Sequence, residues 1–312
     1  MTAFLLRRVA TALFVLWLVM TGVFLLVNVV GDPARAALGP QASGAQLDAF
    51  RKKHQLDLPL GERYVGYLGE LASFDLGHSY QDERPVAEMI AARLPRTLLL
   101  GGIALTLELL LGLGAGVLAA LYAKSWVDSA VMATSFVGIS MPSFVTGLYF
   151  LGYFAFRLGW FPIGGYGVSA LDHVYHAILP ALTLAVIGAA TYARLMRSEL
   201  LEALKSDYVR TARAKGLSPW RVVLVHAGRN ALLPVVTLLS VSLRVVVSGA
   251  VITETIFGWP GMGRLAYEAI SGLDLPLVLG IVFVACAVVQ LGNVLADLAV
   301  ATLDPRLRDG RN

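Results

Sequence analysis

DYVRTARAKGLSPWRVVLVHAGRNALLP, residues 207–234, is a polar and basic stretch between two long apolar segments. Between Arg194 and Arg229 the chain has eight Lys/Arg and three Asp/Glu. Such charge beside a membrane span is typical of a cytoplasmic loop. Asp207 can begin a helix, and Gly216 can end one. A short helix held outside the bilayer predicts a docking surface for a cytoplasmic partner.

The composition of the whole chain indicates a lipid environment. Its 312 residues are 57% hydrophobic and 15% charged, whereas soluble domains carry about 25% charged residues. The net charge of +4 is modest, and the basic residues are grouped by loop. We therefore expect contact with membrane lipid and no nucleic acid partner. Cys286 is the single cysteine, so no intrachain disulfide can form.

Six apolar segments are long enough to cross about 30 Å of hydrocarbon. They are residues 9–30, 98–123, 129–156, 177–193, 233–256 and 275–297. The first follows Arg7 and Arg8, as a signal peptide would. Its 22 uncharged residues are too many for a signal peptide, so we predict a retained helix. The expected fold is an all-α polytopic membrane protein with one transmembrane domain over residues 1–312.

The short loops decide the predicted orientation. Loops 157–176 and 257–274 carry one basic residue each, whereas residues 198–232 and the two ends of the chain are richer in Lys/Arg. Both termini are therefore expected in the cytoplasm. The external segment 31–97 is long enough to escape this charge rule, and it predicts a small insertion with two short helices. Either a solvated cap or a partner-contacting surface would suit its composition.

Catalytic patterns are missing from the sequence. None of the five lysines follows a glycine, so the chain has no P-loop for ATP. We expect no catalytic residue and no bound cofactor. His173 and His176 have helical spacing but form a weak metal signal, and no metal site is predicted. Four histidines fall on the predicted external side, which leaves metal delivery open; they are His54, His78, His173 and His176.

Ionisable residues within the apolar segments are expensive in lipid. Glu108 lies midway in the second segment, Arg244 lies midway in the fifth, and Glu254 lies near the end of the fifth. Pro142 breaks the third segment, which is tolerated where backbone faces protein or water. The three ionisable residues either pair with one another or snorkel to the interface, or they line a polar pathway. In the second case Glu108, Pro142, Arg244 and Glu254 would belong to a translocation pathway or gate. Glycines 112, 114 and 116 predict close helix packing.

Short sequence fragments along nearly the whole chain resemble one known family. They include Gly31-Asp32-Pro33, Leu56-Asp57-x-Pro59-Leu60, Asp75-Leu76-Gly77-x-Ser79, Met141-Pro142-Ser143-Phe144, the 207–216 segment, Glu254-x-Ile256-Phe257-x-Trp259-Pro260-Gly261 and Leu303-Asp304-Pro305-Arg306. The family is that of the permease subunits of bacterial ABC importers for dipeptides, oligopeptides or nickel. Three positions depart from its pattern, at Val30, Gln55 and Phe74. The sequence separation between Gly216 and Pro234 is also longer than in the general form of the importer loop motif.

The resemblance implies six transmembrane helices of the ABC type I importer kind in the bacterial inner membrane. It also implies a homologous second permease, two cytoplasmic ATPase subunits that bind ATP and Mg, and an external solute-binding protein. The ATPase-coupling residues would then be Asp207, Tyr208, Arg210, Thr211, Ala212, Arg213, Ala214, Lys215 and Gly216. The expected substrates are peptides, with nickel or a metal chelate as the alternative. A stand-alone secondary transporter would need internal repeats, and none is visible.

The predicted orientation can be tested with single cysteines. In a chain whose Cys286 is replaced by Ala, we expect Ser73→Cys and Ser218→Cys to react with an impermeant thiol reagent from opposite sides of the membrane, because an odd number of predicted spans separates them. Labelling intact cells and inverted vesicles provides the comparison. Reaction of both positions from the same side would refute the orientation.

Overall fold

The computed structural model describes residues 2–30, 32–39 and 41–303. Within these ranges, some side chains fall outside the description, at 2–5, 27, 29, 30, 36, 219, 224, 233, 240, 241, 243–250 and 295–303. The described part is helical and has no strand, apart from an isolated bridge between His78 and Pro85. The all-α expectation is confirmed.

Thirteen helices occur in the described residues. They are α1 (Thr2–Val30), α2 (Pro33–Leu38), α3 (Gly44–Lys53), α4 (Leu60–Ala72), α5 (Val86–Leu121), α6 (Trp126–Ser140), α7 (Ser143–Phe150), α8 (Ala170–Ala203), α9 (Asp207–Ala214), α10 (Pro219–Arg221), α11 (Gly228–Ile256), α12 (Met262–Ser271) and α13 (Leu275–Leu303). Two π-helical turns, Leu151–Arg157 and Val222–Ala227, follow α7 and α10.

The six predicted spans all fall on helices, although several boundaries differ. The second span was predicted to begin at residue 98, but α5 begins at Val86. Hydropathy alone did not indicate its first turns, because they contain the charged residues Arg93 and Arg96. The third is not one straight helix. Its two halves, α6 and the segment from Ser143 to Arg157, meet at an angle of 106°, because Pro142 has no N–H to continue the helix.

Length and composition support four membrane spans among the described residues, or five if the bent pair counts as one. The helices that qualify alone are α1, α5, α8 and α13. The predicted span 233–256 lies on α11, where several side chains fall outside the description. A total of six spans therefore stays a prediction.

The chain divides into two compact units. The first contains the residues up to Arg96 together with Pro260–Leu291. Here the short helix α4 packs on α1: Phe24 stacks on Tyr67 with ring centroids 5.1 Å apart, and the hydroxyls of Thr21 and Tyr64 are 2.7 Å apart. Two of the aromatic residues of the predicted insertion thus have a packing role.

Asp32 joins two helices of the first unit. Its carboxylate accepts the Ala34 N–H at the start of α2 and a hydrogen bond from Arg51 of α3, 2.5 Å away. The Arg51 guanidinium, through this hydrogen bond, holds the pKa of Asp32 below its usual range, despite the opposing effect of burial. This ion pair fixes the chain directly after α1.

The second unit contains Thr97–Trp259 and the residues after Leu291. In it α8 packs against α6, α7 and α11. Two glycines bring α5 close to α8. A Cβ atom at Gly112 would lie 2.7 Å from the Ala189 carbonyl oxygen, and one at Gly116 would lie 2.6 Å from that of Ala193. At Gly114, in contrast, a Cβ atom would meet nothing within 4 Å.

This packing makes a prediction with an internal control. We expect Gly116→Ala to lower the melting temperature of the purified protein in detergent, because overpacking costs about 1–3 kcal/mol. Gly114→Ala should leave it unchanged or raise it slightly, since alanine is favoured over glycine by about 1 kcal/mol in a helix. Thermal unfolding followed by circular dichroism compares the two variants. A Gly116→Ala protein as stable as Gly114→Ala would contradict the close approach of α5 and α8.

Candidate functional site

The segment predicted to dock a partner forms the short helix α9. It begins at Asp207, after Ser206 in an extended conformation, and its last helical residue is Ala214. Gly216 follows with φ +74°, in the left-handed region that favours glycine. Its N–H donates to the Arg213 carbonyl oxygen at 2.9 Å. The predicted start and stop signals therefore lie at the ends of a real helix.

One face of α9 is buried within the chain. Val209 is 0% exposed and Ala212 is 5% exposed. They belong to an apolar cluster with Ala120, Tyr192, Met196, Leu200, Val222, Val223, Ala227, Ala231 and Val235. Helices of two turns are marginal alone in water. Because this cluster anchors α9 to the end of α8 and to the turn after α10, the helix is held in place without a partner.

The opposite face of α9 is exposed to solvent. It carries eight of the nine predicted coupling residues: Asp207, Tyr208, Arg210, Thr211, Arg213, Ala214, Lys215 and Gly216. The side chain of Arg210 is 77% exposed and reaches Asp207 of the same helix at 3.2 Å. An exposed pair of this kind does little to fix a guanidinium. The surface is basic and can meet an acidic groove.

Ala212 differs from the other predicted coupling residues, because it faces the interior of this chain and not the solvent. Val209, which the sequence interpretation left out, is its companion on the buried face. The spacing of three residues between two apolar positions in an otherwise polar helix was the available signal.

Glu108 is buried among three helices. The Ser242 hydroxyl of α11 donates to Glu108 Oε1 at 2.6 Å, and the Tyr192 hydroxyl of α8 lies 3.1 Å from Ser242 Oγ. Gly188 faces the same carboxyl group so closely that a Cβ atom there would overlap it. The carboxyl group therefore links α5 to Ser242 of α11 and lies against α8. The role of Glu108 in a pathway or gate stays a prediction.

Glu254 lies in a separate place. Its side chain is 0% exposed, and the Thr97 hydroxyl of α5 donates to its Oε1 at 2.6 Å. Its carbonyl oxygen accepts the N–H of Trp259, which is also fully buried, at 2.8 Å. Thr97 and Glu108 are eleven residues apart on α5, or about 16 Å along the axis. The two carboxyl groups therefore do not share one site.

Pro142 lies at the bend between α6 and α7 and directly precedes Ser143, the first residue of α7. Beyond the bend, α7 packs on α8 and α11, and Gly147 lies close to Thr183 and Phe257. The side chain of Arg244, the fourth predicted pathway residue, lies outside the described residues. The structure thus does not bring the four residues into one cluster.

Three of the four predicted external histidines, His54, His173 and His176, have local side-chain contacts. His173 stacks on Tyr166 with ring centroids 3.8 Å apart, and His176 Nδ1 lies 3.2 Å from Asp172. His54 packs between aromatic rings, and burial lowers its pKa. In the part of the chain that the structure describes, no three His, Cys, Asp or Glu residues form a group that could hold a metal ion.

Comparison with known proteins identifies the family. The profile described as "Binding-protein-dependent transport system inner membrane component" matches residues 112–309, and the profile of its N-terminal part matches residues 1–101. The chain is 36% identical to the oligopeptide transport system permease protein AppB of Bacillus subtilis, over 98% of this chain and 99% of that protein. It is 39% identical to the di/tripeptide transport system permease protein DppB of Pseudomonas aeruginosa, over the whole of both.

A solved structure shares the fold. The inward-facing MetNI methionine ABC transporter matches 70% of this chain and 97% of its own with a TM-score of 0.58, at 17% identity. The two family profiles together span nearly all of the sequence. The chain belongs to the family of inner membrane components of binding-protein-dependent transport systems, and it is a multi-pass membrane permease subunit of an ABC importer.

Proposed function

We propose that this permease translocates peptides across the bacterial inner membrane. The observation that carries the proposal is the end-to-end similarity to permeases named for oligopeptides and for di- and tripeptides. Nickel or a metal chelate is the weaker candidate, because three of the four histidines that could have served metal delivery, His54, His173 and His176, are engaged in ring stacking or local contacts.

The partners follow from the same family. The chain pairs with a homologous second permease, and an external solute-binding protein delivers the peptide. Two cytoplasmic ATPase subunits bind ATP and Mg and hydrolyse the nucleotide, while this chain holds no nucleotide itself. Both termini and α9 lie on the cytoplasmic side, which agrees with the basic residues of the 194–229 region.

The two faces of α9 suit the transmission of force. Its exposed basic face sits in a groove of one ATPase. Its buried face, formed by Val209 and Ala212, packs on the turn Val222–Ala227, and both share one apolar cluster with Leu200 near the end of α8. A displacement of α9 by the ATPase therefore moves α8 with it, since a close-packed core does not deform continuously. In this way closure of the ATPases on ATP rotates the permease helices.

The substrate class can be tested by reconstitution. The complex of this permease with its partner subunits and binding protein, placed in proteoliposomes, is expected to take up a radiolabelled dipeptide when ATP is enclosed with the ATPases. Nickel alone and nickel bound to a chelator serve as competing substrates. Uptake of nickel without uptake of any peptide would overturn the peptide assignment.

The docking role of α9 leads to a second prediction. We expect Arg213→Glu and Gly216→Val to leave membrane insertion and pairing with the second permease intact, because neither side chain position is buried. Peptide transport and the stimulation of ATP hydrolysis by the loaded binding protein should each fall at least tenfold. Arg213→Glu reverses the charge of the docking face, and Gly216→Val strains the left-handed end of the helix.

Arg157→Glu is the matched control, since Arg157 is exposed but lies on the predicted external side. It should transport at the wild-type rate. Wild-type transport and stimulation in both α9 variants would exclude a docking role for this helix.

A further inference from the structure

An ion pair joins α6 to α8 near the end of α8 that leads into α9. Asp128, in the first turn of α6, is 7% exposed, and Arg197 of α8 is 29% exposed. The guanidinium donates through Nε to Oδ1 and through Nη2 to Oδ2, the latter at 2.7 Å. Asp128 also accepts the Lys124 N–H at 2.9 Å. The carboxylate thus receives three hydrogen bonds from two segments of the chain.

The two parallel hydrogen bonds of this pair constrain the side chains more than the attraction of their charges does. A guanidinium that donates two parallel hydrogen bonds fixes the orientation of both side chains. Replacing a buried ion pair by apolar residues is often neutral for stability. A pair of this kind is therefore better explained by the register that it imposes on two helices than by a gain in stability.

Other contacts hold the same two helices together. The Arg194 guanidinium carbon lies 4.8 Å from the ring centroid of Phe136 on α6. Further along, Gly138 allows α6 to approach α8, since a Cβ atom there would already lie 3.3 Å from Val186. Along this stretch α6 and α8 form one packed element, and the Asp128–Arg197 pair closes its end nearest α9.

The pair also lies next to the anchor of α9. Arg197 precedes Leu200 by three residues, about one helical turn. Leu200 is fully buried in the cluster that contains Val209 of α9. At the other end, α6 leads to the bend at Pro142. A continuous series of contacts therefore runs from α9 through the end of α8 into the first half of the broken span.

We propose that Asp128 and Arg197 are positioning residues that make α6 move together with α8 and α9 when an ATPase displaces α9. This inference rests on the proposed function. Through the pair, movement of the docking helix reaches the broken span, and not only the helix that α9 follows directly. Without the pair, α9 and α8 would move while α6 lagged behind.

The test uses a double variant that removes both charges of the pair and keeps polar side chains at the two positions. In the reconstituted complex, Asp128→Asn with Arg197→Gln should assemble and keep the basal ATP hydrolysis of the wild type. Peptide transported per ATP hydrolysed should fall at least tenfold. Arg197→Lys keeps the positive charge but cannot donate two parallel hydrogen bonds, so the fall in peptide transported per ATP should be intermediate. Arg84→Met removes an exposed pair with Glu88 and serves as the control with wild-type coupling.

A distance measurement separates positioning from a general loss of structure. In the complex with Cys286 replaced by Ala, spin labels at Thr134 of α6 and Glu202 of α8 occupy exposed sites outside the docking face of α9. The distance between them should stay the same with and without ATP in the wild type. In the double variant it should change or broaden when ATP binds.

The outcomes decide between the two proposals. A wild-type complex that transports no peptide would refute the proposed function. If the wild type transports and the double variant matches it in coupling and distance, only the present inference fails. If the double variant and Arg197→Lys both fail to assemble, the pair is a folding element, and the inference is overturned as well.

Discussion

A polar group in hydrocarbon has no water to bind, so it must find its partner inside the protein. The second unit depends on this constraint. The hydroxyl of Ser242 binds Glu108, and the hydroxyl of Thr97 binds Glu254. Each contact connects α5 to α11. Because α5 also supplies the glycines that approach α8, it contacts both α11 and α8, and α8 in turn packs against α6 and α7.

These buried contacts bear on how the subunit can move. Helices joined by close packing and by satisfied polar groups move as one body, since separating them would leave carboxyl groups unpaired. Bending is then confined to places where the backbone is already interrupted, such as Pro142, which lacks an N–H for the helix. The short helix α9 is suited to drive such motion, because Val209 and Ala212 hold it on the interior.

Local patterns in the sequence were sufficient to locate the long apolar helices and the ends of α9, because hydropathy and capping residues act over a few neighbouring positions. They could not separate Gly114 from Gly116, since only the facing helix decides which glycine is crowded. They also missed the ion pair of Asp128 with Arg197, whose partners are 69 residues apart. Glu108 and Glu254 were identified as unusual, but their hydroxyl partners on distant helices were not.

The two-sided character of α9 has a consequence for exchange between transport systems. Its inward residues are constrained by the folding of this chain. Under the proposed docking role, its outward residues are constrained by the shape of an ATPase subunit. The two requirements fall on different positions of the same helix, with Ala212 on one side and Arg213 on the other. The exposed positions could therefore be substituted so that α9 binds a different ATPase subunit, and the fold of this chain would not change.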